Sequence, residues 1–165
     1  QVGVWSFMIR YAQAEVPGMG EKTAASYLTA SLVGFMIGRF VGTALMSRVS
    51  PTRLMAGFAA INVALTLVAV FVGGALGLYA LAATSIFMSI MFPTIFASSL
   101  RNLGPLTEAA SSFLVMSIIG GAVLTAVMGA VSDASAIHYA ILVPTLCFVV
   151  IGGFASYNGA HGRSR

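Results

Sequence analysis

The chain has 165 residues, of which 59% are hydrophobic and only 7% charged, with a mean hydropathy of +0.99. A soluble domain carries about 25% charged residues, so there are too few charges here to cover a water-facing surface, and lipid must be the solvent. The net charge of +4 does not mark a nucleic-acid binder, because the cations lie at the ends of apolar runs and form no patch.

In chain order, six apolar segments follow one another. A spanning helix needs about 20 mostly apolar residues. Residues 1–13 are apolar but too short, and are expected to be a span that has lost its beginning. No charged n-region or cleavage site marks a signal peptide. A loop rich in Pro, Gly and charge leads to a full span at 23–46. The next is 54–72, closed by Gly73 and Gly74, and after it comes 76–100, with Pro93 inside. The fifth is 107–131, and the sixth 136–155, with Pro144 inside. All six are expected to be helices in one bundle over 1–156, because lipid admits only helices and closed barrels and these runs lack strand alternation. Residues 157–165 read as a polar, mobile tail. Cys147 is the lone cysteine; it lies in an apolar run and reads as a small core residue.

Within the second span, Gly34, Gly38 and Gly42 recur every fourth residue and share one face. Such a face lets a neighbouring helix come close enough for backbones to touch, the usual packing device in lipid. After it come Arg48 and Arg53 around a turn in which Pro51 stops one helix and suits the start of the next. The stretch recurs: a shift of 82 places residues 31–50 on residues 113–132 with ten identities in twenty positions, where about two would arise by chance in so biased a composition. Two spans lie between, so the copies must cross a membrane in opposite directions, the pattern of inverted three-helix repeats. Gly120 and Gly121 belong to the second copy and are expected to be packing positions as well.

Arg48, Arg53, Arg101, Arg163 and Arg165 fall on one side of the predicted spans, and Arg10, Glu15, Glu21, Lys22, Asp133 and His138 on the other. The positive-inside rule assigns the first side to the cytoplasm, so the first segment starts there and the tail ends there. No Asp or Glu lies within an apolar span. There is no ligand cluster with metal spacing and no nucleophile–His pair. No enzyme chemistry, metal or cofactor is indicated. Arg39 is the exceptional charge, roughly 10 Å inside the cytoplasmic end of its span at 1.5 Å per residue. It reads either as a functional group or as a cation that snorkels or caps carbonyls of a neighbouring helix.

The best candidate for a binding face is on the fourth helix. Ser85, Ser89, Phe92, Phe96 and Ser99 are spaced four, three, four and three, a stripe of hydroxyls around two rings. Sugars present apolar C–H faces and hydroxyls, so such a stripe suits them. Pro93 removes a backbone hydrogen bond within it and frees a carbonyl. On the first helix, Gln1, Trp5 and Met8 share a face and set another ring beside an amide. Packing alone would also account for both stripes.

VGVWSFMIRYAQ, IGRFVGTALMSRVSPTRLM, MFPTIFASSL and SSFLVMSIIGGAV resemble the fucose/glucose–galactose:proton symporter family of the major facilitator superfamily, in order and over nearly the whole chain. The resemblance implies an all-α membrane fold, the C-terminal six-helix half of a transporter built from 3+3 inverted repeats. It further implies a bacterial-type inner-membrane sugar–proton symporter working by alternating access. Phe96 matches an aromatic position beside the sugar and Trp5 one that faces the cavity, and MFPTIF is closer to the glucose–galactose branch. Ser47 stands where the superfamily's turn motif has an acid, so a charge latch with that acid is not expected. The proton-handling carboxylates belong to the N-terminal half, which is the missing partner. The expected sugar contacts are Trp5, Phe92, Phe96, Gln1 and Ser89. The alternatives are a transporter of another small solute, or a six-helix membrane scaffold that transports nothing.

Overall fold

The computed structural model describes residues 1–100 and 104–161, and every regular element in them is helical. In order these are α1 (Val2–Glu15), α2 (Glu21–Met46), α3 (Pro51–Phe71), α4 (Gly74–Met88), α5 (Met91–Leu100), α6 (Thr107–Met116), α7 (Ile119–Ala134), α8 (Ile137–Ala140) and α9 (Leu142–His161), with a 3-10 turn at Gly104–Leu106. Taken across their breaks, five segments are long and apolar enough to cross a membrane: Glu21–Met46, Pro51–Phe71, Gly74–Leu100, Thr107–Ala134 and Ile137–Tyr157. With the shorter α1 they make six helical segments. Arg101, Arg163 and Arg165 lie outside the described residues. The expected polar tail is helical as far as His161.

Three passes are broken, each for a local reason. Pro93 and Pro144 lack the amide that would bond four residues back. The chain turns at Ser89–Ile90 and at Ile141, just upstream of each proline. The α6–α7 break has no proline. There Ile118 N–H bonds Val115 O, Gly120 N–H bonds Ser117 O and Gly121 N–H bonds Ile118 O, all three residues back. The backbone tightens where two successive glycines weaken the helix. The turn between α3 and α4 needs its glycines: Gly73 and Gly74 have φ of 63° and 57°, the left-handed region that side chains resist.

α3 is the central post and packs chiefly on α9 and α4; α2 lies on α4, and α1 touches α2, α4 and α7. The core joins Phe7, Met8 and Tyr11 of α1 to Met55 and Ala59 of α3, Leu78 and Leu81 of α4, Met128 of α7 and Phe148 of α9. The Tyr11 hydroxyl donates to Ala69 O at 2.5 Å, passing close over Gly77, where a methyl group would block it. Asn62 of α3 is fully buried, and neither Nδ2 nor Oδ1 has a partner among the described residues.

Candidate functional site

The glycine face of α2 fixes where the site stands. A Cβ on Gly38 would land on the carbonyl of Ile86; at Gly34 it would meet Ile86 Cγ1 at 3.2 Å, and at Gly42 Ile90 Cγ2 at 2.5 Å. α2 therefore lies backbone to backbone along the last turn of α4, next to the break. Gly120 and Gly121 differ from the expectation: no atom of the described residues lies within 4 Å of where their Cβ would stand. They mark the tightened turn of the α6–α7 pass instead of a close contact within this bundle.

The break in the fourth pass exposes backbone that must find partners, since an unpaired carbonyl in lipid costs several kcal/mol, by the usual order of magnitude. Side chains of Gln1, just before α1, and of α1 and α2 supply them. Gln1 Nε2 donates to Met88 O at 2.7 Å. Arg39 Nη2 donates to Ser89 O at 3.3 Å, and its guanidinium stands over the Phe35 ring, 5.1 Å from the centroid. One turn up, Trp5 Nε1 donates to Ser85 Oγ at 3.1 Å, and Ser85 is hydrogen-bonded to Ser31. Trp5 and Phe35 meet edge to face, centroids 5.0 Å apart.

The expected stripe on the fourth pass does not open as one face. Ser85 and Ser89 are fully buried, and the Ser89 hydroxyl turns back to Ile86 O at 2.7 Å. Its side chain is shut away from any ligand, and it is the carbonyl of Ser89 that is addressed from outside. Phe92 is 42% exposed and Phe96 half-buried, their rings tilted at 38° with centroids 6.0 Å apart. The break at Ser89–Ile90 separates the buried hydroxyls from the open rings. Trp5 is half-buried, Gln1 exposed and Met8 in the core. Gln1, Trp5, Phe92 and Phe96 thus remain as the accessible candidates around the break.

Arg39 does not reach the turn with Arg48 and Arg53. It lies well inside α2, whereas Arg48 and Arg53 are on either side of Pro51, Arg48 in the open. Two residues on the same α2 stripe escaped the sequence reading. Ser31, Phe35 and Arg39 are four apart and point at α1 and the break; the glycines one position before Phe35 and Arg39 drew attention to the neighbouring face. The far end of the bundle gathers the other polar groups: Arg10 pairs with Asp133 at 3.5 Å, His138 Nδ1 stands 3.2 Å from Glu15 Oε1, and Glu15 Oε2 accepts from Gly74 N–H at 3.2 Å. Groups that the sequence assigned to one side of the membrane do meet at one end of the bundle. No group of three or more His, Cys, Asp or Glu that could hold a metal occurs among the described residues.

No protein-family model matches the chain. Individual relatives do. The chain is 52% identical over 158 residues to the L-fucose-proton symporter of Escherichia coli, covering 95% of this chain and 36% of that protein. It is 35% identical over 152 residues to the glucose/galactose transporter of Brucella abortus, covering 92% of this chain and 37% of that one. It is 32% identical over 165 residues to the L-fucose-proton symporter of Haemophilus influenzae, covering 95% and 38%. Crystal structures of the fucose:proton symporter FucP, one described as E. coli and one as in the outward conformation, superpose with a TM-score of 0.93 at 52% identity, over 95% of this chain and 38% of theirs. The chain therefore spans somewhat over a third of the length of the relatives it matches. It is a multi-pass membrane protein and not an enzyme, and over the stretch it covers it belongs to the fucose–proton symporter and glucose/galactose transporter family of the major facilitator superfamily.

Proposed function

We propose that these residues form the C-terminal six-helix half of a proton-coupled monosaccharide symporter of a bacterial inner membrane. The carrying observation is the broken turn at Ser89–Ile90, where Gln1 holds the Met88 carbonyl and Arg39 that of Ser89 while Trp5, Phe92 and Phe96 stand around it. A sugar has both apolar C–H faces and hydroxyls. Trp5, Phe92 and Phe96 offer the first a surface, and the Gln1 amide offers the second a partner. Ser89 would contribute through its backbone and not through its hydroxyl.

The internal repeat supports the half-transporter architecture. Thr43 Oγ1 donates to Arg39 O at 2.7 Å, and at the matching position Thr125 Oγ1 donates to Gly121 O at 2.8 Å. α2 packs on α4, and α7, its counterpart, packs on α1; α1 and α4 are themselves three passes apart, as inverted repeats require. The other wall of the site would come from a second six-helix bundle, rocking against this one within the lipid. With the arginine turn at Arg48 and Arg53 in the cytoplasm, the C-terminus is cytoplasmic too.

Proton coupling would come from that second bundle. The four carboxylates of this chain all sit at helix ends: Glu15 closes α1, Glu21 opens α2, Glu108 is in the first turn of α6 and Asp133 in the last of α7. An intramembrane proton carrier needs a titratable group facing a cavity. The more distant relatives do not sort the sugars, being 32% identical for one fucose symporter and 35% for a glucose/galactose transporter; the 52% match favours a fucose-like 6-deoxyhexose over the hexoses that MFPTIF pointed to.

The test is uptake of labelled L-fucose, D-galactose and D-glucose by the full-length protein in liposomes under an imposed pH gradient. Saturable uptake of one of them that a protonophore abolishes is expected. Absence of uptake for all three would overturn the reading and favour transport of another solute. In parallel, the 165 residues alone should show no gradient-driven uptake; if they do, the coupling group lies within this chain.

A further inference from the structure

We propose that Ser31 and Phe35 of α2, with Ser85 of α4, are positioning residues for Trp5: they fix the plane of its indole and so set sugar affinity without touching sugar. The inference rests on the reading above that Trp5 is a sugar contact. It adds three residues which that reading does not need.

The direction of every hydrogen bond in this group follows from chemistry. An indole N–H can only donate, so Ser85 Oγ accepts from Trp5. Ser31 has a single hydroxyl proton and Ala82 O can only accept it, so the proton between the two serines comes from Ser85. Ser31 in turn donates to Ala82 O at 3.4 Å. The result is a one-way chain from the indole of α1, through α4 and α2, ending on an α4 carbonyl. Bonds in such a chain polarise one another and reinforce the whole. A Trp side chain has two free torsions. The N–H bond fixes where the pyrrole edge lies, and the perpendicular Phe35 ring, at 81° and 5.0 Å, fixes the tilt about it. Phe35 is itself steadied by the Arg39 guanidinium above its ring.

Burial separates positioning from contact. Ser85 is 0% exposed and Ser31 2% exposed, and both are shut between α2 and α4 by the close approach of Gly34 and Gly38 to Ile86. No ligand reaches either hydroxyl, so any effect they have on affinity must pass through another residue. The bond chain names that residue as Trp5. The placement is also compact in sequence. Ser31 and Phe35 lie one turn apart on α2, and the next residue on the stripe, Arg39, holds the broken turn itself.

The experiment is a double-mutant cycle in the intact, reconstituted transporter, reading half-saturation for L-fucose and D-galactose per amount of protein in the membrane. Ser31→Ala is expected to raise half-saturation roughly five- to tenfold, the factor that one ordinary hydrogen bond amounts to. Ser31→Thr keeps the hydroxyl and should stay within about twofold of wild type. In a Trp5→Phe background, which has no N–H to place, Ser31→Ala should have no further effect, as coupling through a shared partner demands. If Ser31→Ala yields too little protein, Ser31→Cys, of similar size and a weaker hydrogen-bonding group, runs the same cycle with a smaller expected shift. Equal losses in the wild-type and Trp5→Phe backgrounds would mean that the serine acts on the bundle generally and would overturn the proposal. So would an unchanged affinity in Ser31→Ala beside a loss in Trp5→Phe, with the sugar site itself left standing. An affinity unchanged by Trp5→Phe would remove Trp5 from the site and this inference with it.

Discussion

The guanidinium of Arg39 donates to the carbonyl of Ser89, the one carbonyl that Pro93, four residues on, leaves without its helical amide. A cation from α2 thus replaces a donor that the sequence of the fourth pass lacks. This makes the two residues energetically dependent. Arg39→Ala should destabilise the full-length protein by about 1–2 kcal/mol, somewhat under the usual 1.5–3 for a charged hydrogen bond because Arg39 is partly exposed. Pro93→Ala returns an amide to Ser89 O, so in that background Arg39→Ala should cost clearly less. Thermal unfolding of the four proteins in detergent measures the coupling, and strictly additive losses would contradict it.

Gly38 and Gly120 are matched by the internal repeat but placed differently. A methyl group at Gly38 collides with backbone, the Ile86 carbonyl, which cannot swing aside. Gly38→Ala is therefore expected to cost about 1–3 kcal/mol, as overpacking does. At Gly120 there is room among the described residues, so Gly120→Ala should be neutral or stabilising by up to about 1 kcal/mol through helix propensity. Paired melting curves check both. A large loss at Gly120 would place a neighbour on that face from the remainder of the transporter.

Asn62 is buried with neither side-chain end bonded among the described residues. Replacing such a group by an apolar one of similar size relieves its desolvation, so Asn62→Leu should raise stability by about 1–3 kcal/mol. The melting temperature should rise with transport unchanged. A fall would instead indicate that an internal water satisfies the amide, and a high-resolution structure would then show it.

Phe92→Ala and Phe96→Ala should weaken sugar binding in the intact protein, while Phe71→Ala should not. Phe92 and Phe96 form a ring pair beside the break, whereas Phe71 ends α3 and is 78% exposed. Equilibrium binding of L-fucose to purified variants separates them. Equal losses at all three positions would speak for packing and against a site.

The helices were legible because lipid imposes a strong rule: runs of apolar residues long enough to span must be helices. Pro51, Gly73 and Gly74 also gave true ends for the same local reason that they act anywhere. The breaks were only half legible. Pro93 and Pro144 announced freed carbonyls, but which donors would reach them depends on how α1 and α2 lie against α4, and no local pattern encodes that. The α6–α7 break has no proline, and no local pattern in Gly120–Gly121 tells that none of the described residues stands against them. Ser89 shows the limit most clearly. Its spacing put it in line with Phe92, but the turn at Ser89–Ile90 interrupts the helix between them, and periodicity assumes a continuous helix.

The capping of the fourth pass also carries a temporal order. Gln1, Trp5 and Arg39 all precede the acceptors at Ser85, Met88 and Ser89 in the chain. A ribosome releases the donors first, and chains fold from the N-terminal side as they emerge. The break, which is the least lipid-compatible part of the bundle, thus enters the bilayer only after its partners are there to receive it. Circular permutation that moved α1 and α2 behind α5 would leave every final contact possible and reverse that order, so its effect would fall on insertion yield and not on the stability of the molecules that succeed.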